Sequence, residues 1–248
     1  MSRQAAATLN RCRVSLVLMV LAAALLGAQA PARAQTEADL KLALMVDASG
    51  SVDRYRFELQ KRGYVAALRN PRVLGAVMGG RTQSIAISMV QWTGPFLQSV
   101  VLPWTLIKDE ASIKTAAAVI ENTPRQLFGG GTSISGAIDY AMAMFPQAPF
   151  KTERQVIDIS GDGSNNGGRS VIRARDEAVA ADVNINGLPI LAWEPYLDRY
   201  YKDNVIGGPG AFMIVASDFN TFADAILRKM IIEIAMNVRP GLTRIGKR

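Results

Sequence analysis

The sequence predicts an α/β fold: a doubly wound, mainly parallel six-stranded sheet with one antiparallel edge strand and helices on both faces. Three observations carry this reading. Short apolar runs bounded by turn residues recur along the chain, the first being Leu40 to Val46, and they read as strands buried on both sides. Stretches with apolar residues at helical spacing separate them, so strand and helix alternate. One run, after Gly94-Pro95, alternates enough to lie at an edge and pair back antiparallel.

The elements follow in order. Leu40 to Val46 is the first strand and ends on Asp47. Asp53 to Leu68 is an amphipathic helix with Phe57, Leu59, Tyr64, Val65 and Leu68 on its apolar side, and Asn70-Pro71 ends it. Gln83 to Trp92 is a second buried strand, and Phe96 to Leu102 is the edge strand. Helices are expected at Asp109 to Glu121 and, after the triple glycine Gly129 to Gly131, at Thr132 to Phe145. Gln155 to Ser160 is a third buried strand, ending at Gly161-Asp162-Gly163. A helix at Ser170 to Ala181, a strand at Val183 to Leu191, a strand at Phe212 to Val215 and a helix at Asp218 to Met236 complete the domain. Trp193 to Gly210 is an aromatic and glycine-rich connection, and no internal repeat is visible.

The first 34 residues read as a separate segment. Arg3, Arg11 and Arg13 form a basic region, Val14 to Ala28 an apolar core, and Ala32-Arg33-Ala34 a small-x-small cleavage site before Gln35. This pattern predicts a secretory signal peptide, cleaved after Ala34, with no stable membrane anchor afterwards and a periplasmic or secreted product. The expected organisation is residues 1–34 signal peptide, 35–238 domain and 239–248 a basic, flexible tail. The only cysteine, Cys12, falls in the first segment, so the domain has no disulfide to rely on. Four of the 28 basic residues and no acid lie there too, which lowers the net charge from +7 to +3. Four of the remaining basics crowd the last ten residues, and a nucleic-acid partner loses most of its basis.

Three polar segments each lie just past a strand or open a helix: Asp47-x-Ser49-x-Ser51, Gly131-Thr132 and Gly161-Asp162-Gly163. In an open α/β sheet this is where ligands bind. In the first segment one carboxylate and two hydroxyls, without His or Cys, are hard oxygen donors that suit Mg²⁺, Mn²⁺ or Ca²⁺ far better than zinc. In these segments the chain resembles the von Willebrand factor type A domain, a Rossmann-like fold, and its metal-ion-dependent adhesion site. It is most similar to a group of secreted bacterial domains of that type with uncharacterised function. The resemblance spans roughly Leu40 to Ala235. It implies a metal site of Asp47, Ser49, Ser51, Thr132 and Asp162, with the hydroxyls on the ion and the carboxylates binding directly or through water. It also implies a partner protein that contributes an Asp or Glu carboxylate. One departure stands out: many relatives carry Thr before the third-loop Asp-Gly, whereas Gly161 precedes Asp162 here.

Enzyme classes are narrowed by composition. The chain has no histidine, which removes a Ser-His-Asp triad and histidine zinc sites, and no cysteine after residue 34. It carries neither phosphate-loop nor dinucleotide glycine motif. A metal-assisted hydrolase or phosphoryl-transfer enzyme with Asp47 as nucleophile survives as one alternative, and a structural domain whose ion fastens loops as another. The favoured reading is a non-enzymatic, divalent-metal-dependent protein-binding domain. Asp158, between Ile157 and Ile159, reads as a sheet-face residue paired with a cation; Gly163 to Gly168 and Trp193 to Gly208 are candidate rim segments.

Overall fold

The structure, a computed structural model, describes residues 35–236. The proposed signal peptide and the basic tail 239–248 lie outside the described residues.

Five regular strands form the main sheet. They are β2 (Lys41–Asp47), β3 (Ile85–Trp92), β4 (Gln98–Ile107), β6 (Gln155–Gly161) and β7 (Val183–Pro189), in spatial order β4-β3-β2-β6-β7. All neighbours are parallel except β3 and β4. The edge strand β4 carries Pro103, whose missing N–H is tolerated at an edge. A separate two-stranded ribbon joins β1 (Thr36–Glu37) to β5 (Phe150–Lys151). The helices are α1 (Arg54–Arg69), α2 (Pro71–Met78), α3 (Glu110–Asn122), α4 (Ile134–Met144), α5 (Val171–Ala180), the short α6 (Leu197–Tyr200) and α7 (Phe222–Ala235).

The central strand shows why the sheet is covered on both faces. Leu42, Leu44 and Val46 of β2 enter the core under α1, α2, α3 and α7. Ala43 and Met45, at the alternate positions, enter the core under α4, α5 and α6. Tyr64 of α1 meets Phe222 of α7 edge to face, with ring centroids 5.4 Å apart. Complete burial of a side chain of this size contributes roughly 1.5–3 kcal/mol.

Two expectations are refined. Asn70-Pro71 does end α1, but it also starts α2: Asn70 accepts a hydrogen bond from Arg72 N at 3.0 Å, and Pro71 occupies the first helical position. The expected sixth strand at Phe212 to Val215 is reduced to isolated parallel bridges, Gly187 with Met213 and Ile190 with Ala216. The ladder is broken at Pro189: Ile214 N donates to Gly187 O at 3.1 Å and Ala216 N to Pro189 O at 3.0 Å, but proline has no N–H to return to Ile214.

Asp158 has a cation, as its place between two isoleucines implied. Lys229 Nζ of α7 lies 2.7 Å from Asp158 Oδ1 and 3.3 Å from Glu233 Oε1, and all three side chains are fully buried. Asn186 donates to Glu233 Oε1 at 2.7 Å. Removing one member of a buried ionic cluster strands its partners without water. Lys229→Met is therefore expected to lower stability by about 3–5 kcal/mol, read from urea unfolding. Adding Asp158→Leu should recover part of that loss, and a double variant less stable than the single one would contradict this assignment.

Candidate metal centre

The site is built on two adjacent strand ends. Asp47 is the last residue of β2 and Asp162 follows β6, which pairs in parallel with β2 through Val46 and Ser160. Beyond Asp47 the chain turns at once, because Ser49 N donates to Asp47 Oδ1 at 2.7 Å. That turn sets the Ser49 and Ser51 hydroxyls 3.2 Å apart, and Ser51 Oγ donates to Asp162 Oδ1 at 2.6 Å. One hydrogen-bonded chain thus joins Asp47, Ser49, Ser51 and Asp162. Thr132 lies before α4, and its Oγ1 is 3.5 Å from where a Cβ on Gly163 would stand. The structure therefore brings together all five residues singled out in the sequence.

The approach of the second loop depends on its glycines. Gly129 and Gly130 have φ of +76° and +88°, the left-handed region that suits glycine. This conformation lets the Gly130 carbonyl accept from Gly50 N at 3.3 Å, which ties the Thr132 loop to the serine turn.

The electrostatics are unbalanced. Asp47 and Asp162 are fully or almost fully buried, and Oδ2 of each has no hydrogen-bond partner. Burial, reinforced by the neighbouring Asp162 charge and opposed by hydrogen bonds from Ser49, pushes the Asp47 carboxyl up to about 7. Burial also raises Asp162, against the pull of the Ser51 hydrogen bond and the Arg56 charge. Buried polar atoms are rarely left unpaired, and two close carboxylates call for a cation. Among the described residues no three His, Cys, Asp or Glu side chains cluster as a metal-holding group. The donor set is two carboxylates and three hydroxyls, the chemistry of a hard divalent ion.

A family model described as "Protein of unknown function (DUF1194)" matches residues 37–238. The chain belongs to this family. No curated protein matches it. Among solved structures, this DUF1194 chain is similar to the von Willebrand factor type A protein from Catenulispora acidiphila, at 18% identity and TM-score 0.56, covering 80% of this chain and 43% of that one. It is also similar to proximal thread matrix protein 1 from the mussel byssus, described with a zinc-occupied MIDAS motif, at 16% identity and TM-score 0.55, covering 80% and 46%. BatB from Bacteroides thetaiotaomicron aligns at 16% identity and TM-score 0.51, covering 79% and 99%. The chain spans less than half the length of the first two. These likenesses show the fold, which is that of the von Willebrand factor type A domain.

Within this DUF1194 domain, several residues at the site gave no signal in the sequence. Arg125 donates to the carbonyls of Ala48 and Ser49 at 2.8 and 3.2 Å, and Arg56 donates to that of Ser51 at 2.9 Å. Two guanidiniums thus grip the serine turn by its backbone. Each also lies over an exposed aromatic ring, Arg56 at 4.4 Å from Trp193 and Arg125 at 5.2 Å from Phe128. Only the place of Arg56, in the first turn of a helix opening beside the motif, hinted at the site; Arg125 lies in an irregular connection. Glu194 receives Ser164 N at 3.0 Å and its hydroxyl at 3.2 Å, on the rim beside Gly163.

The two rim segments behave differently from a pair of free loops. Gly163 to Gly168 is braced against the α4 loop: Thr132 N donates to Asn166 Oδ1 at 2.8 Å, and Ser135 N to Asn165 Oδ1 at 3.0 Å. The aromatics of the other segment divide. Trp193 and Tyr196 are exposed, Tyr200 accepts from Asn165 N at 3.2 Å, and Tyr201 is fully buried.

The raised carboxyls give a signed prediction for the metal-free protein. A folded-state value of about 7 for Asp47, above the usual 3.8, means that its contribution is complete below the unfolded value and is lost as pH rises through 7. The urea midpoint in chelator is expected to be higher at about pH 5 than at about pH 8. Asp158, pushed up by burial against the opposing charge of Lys229, acts in the same direction. Asp47→Asn should therefore flatten the profile in part, and an Asp47→Asn profile as steep as the wild type would contradict the assignment.

Proposed function

We propose that this domain binds one divalent cation, Mg²⁺ in preference to Mn²⁺ or Ca²⁺, through Asp47, Ser49, Ser51, Thr132 and Asp162, and that it acts by capturing a carboxylate of a partner protein. The observation that carries the reading is the pair of buried carboxylate oxygens, Asp47 Oδ2 and Asp162 Oδ2, left without partners inside a cluster of hydroxyls. The zinc-occupied MIDAS motif of the mussel protein supports a divalent site at this place in the fold. A bound ion would offer a position open to one more anionic oxygen from outside.

The residues of this chain set the terms of that capture. Ser49 N and Ser51 Oγ hold one oxygen of each carboxylate, which fixes both groups where they would flank an ion. Neutral hydroxyls fill the remaining near positions, so the ion's charge is not quenched by further acids. Arg56 and Arg125 fix the turn and, with Trp193 and Phe128, present an aromatic and cationic rim to an acidic partner. A general acid or base beside the site would favour the hydrolase reading. The chain has no histidine, and the nearby Glu194 is engaged by Ser164, so the binding reading is preferred. We place the product outside the cytoplasm, with residues 1–34 removed; among the described residues no helix is long and apolar enough to cross a membrane.

Three measurements test this. Calorimetric titration of the wild type with Mg²⁺ should show one site, and Asp47→Ala should abolish it with little loss of fold; no binding by the wild type would sink the proposal. Saturating ion should also stabilise the wild type by roughly 2–3 kcal/mol at a hundredfold excess over the dissociation constant. Partners drawn from the native extracellular or periplasmic fraction should be released by EDTA, regained with Mg²⁺ and missing from Asp47→Ala. Retention that ignores both chelator and mutation would contradict a metal-bridged role.

A further inference from the structure

We propose that Tyr201 is a positioning residue for this ion site, its phenol donating to Asp47 Oδ2 through one bridging water; the inference rests on the metal-binding reading above. Gly161, the last residue of β6, marks the place. A Cβ on Gly161 would lie 2.9 Å from Asp47 Oδ2 and 3.0 Å from Tyr201 OH, so both oxygens face the same small space that the missing side chain leaves. Both atoms are buried, and neither has a hydrogen-bond partner, so donor and acceptor face one gap without closing it. One is an obligate acceptor when ionised and the other is a ready donor.

The surroundings are shaped for this tyrosine. Its ring packs over Gly187 of β7, where a Cβ would come within 2.7 Å of Tyr201 Cδ1. Two glycines on adjacent strands thus admit the ring and the hydroxyl of one side chain. Tyr201 also opens a single π-helical turn, Tyr201–Val205, a rare geometry frequently found at functional sites. The turn is secured from outside by Arg175 Nη1, which donates to Asp203 O at 2.9 Å.

A phenylalanine would fill the apolar part of this slot equally well. Burying the hydroxyl unpaired is costly, which its service to Asp47 explains. Asp47 Oδ1 is already held by Ser49 N. A second donor on Oδ2 fixes the plane of the carboxylate, and partners of this outer kind typically change metal affinity by 10- to 100-fold.

The test is Mg²⁺ titration of the full chain as wild type, Tyr201→Phe and Gly161→Ala. Tyr201→Phe should keep the metal-free melting temperature and lose roughly tenfold or more in Mg²⁺ affinity. Gly161→Ala, whose methyl group meets both oxygens, should lose affinity as well. In protein labelled with ¹³C-tyrosine, the resonance that Tyr201→Phe removes should shift when Mg²⁺ is added to the wild type. Wild-type affinity in Tyr201→Phe, or an unmoved resonance, would overturn this inference and leave the metal site standing. A Tyr201→Phe variant that loses metal-free stability and ion affinity together would place the hydroxyl in the fold and also overturn it. A wild type that binds no ion would overturn both readings.

Discussion

Parallel pairing of β2 with β6 brings the carboxylates of Asp47 and Asp162 to one buried place at the end of the sheet, and the surrounding loops answer to that constraint. Water cannot dilute the repulsion there, so each charge must be met by fixed donors or by a cation. The chain meets half of the need. Ser49 N takes one oxygen of Asp47 and Ser51 Oγ takes one of Asp162. The other oxygen of each has no hydrogen-bond partner, and the charge left unmet is what a divalent ion would answer.

The same strand offers an internal comparison. Asp158 lies four residues before Asp162 on β6, is equally buried, and has its own cation in Lys229. Asp162 has no basic side chain within ion-pair distance among the described residues; Arg56 is felt at longer range while its guanidinium grips Ser51 O. One acid is met by a cation of the fold, and the other is not. The arginines nearest the site fit this division. Arg56 and Arg125 spend hydrogen bonds on backbone carbonyls of the serine turn, and so shape the site without neutralising it.

Much of this was legible in the sequence because it depends on local pattern. Leu42, Leu44 and Val46 alternate with Ala43 and Met45 because β2 is buried on both faces, and that produces the continuous apolar run that marks the strand. Asp47, Ser49 and Ser51 are legible because a turn closed by Ser49 N on Asp47 needs these residues at this spacing. What was not legible depends on distant partners. The break of the last strand shows only once Pro189 is seen opposite Ile214, where the ladder needs an N–H that proline lacks. Arg125 reaches Ala48 over 77 positions with no local pattern to announce it. Tyr201 read as one aromatic in a glycine-rich loop, and only the packing against Gly161 and Gly187 shows why the hydroxyl is there.

The central claim, that Asp47 and Asp162 are held together for a divalent cation, is tested most directly by anomalous diffraction from crystals grown with Mn²⁺. The account predicts one anomalous peak within coordinating distance of the Ser49 and Ser51 hydroxyls, between the two carboxylates and beside Thr132. Full Mn²⁺ occupancy elsewhere with no peak there, or a lysine or arginine swung in to neutralise the pair, would contradict it.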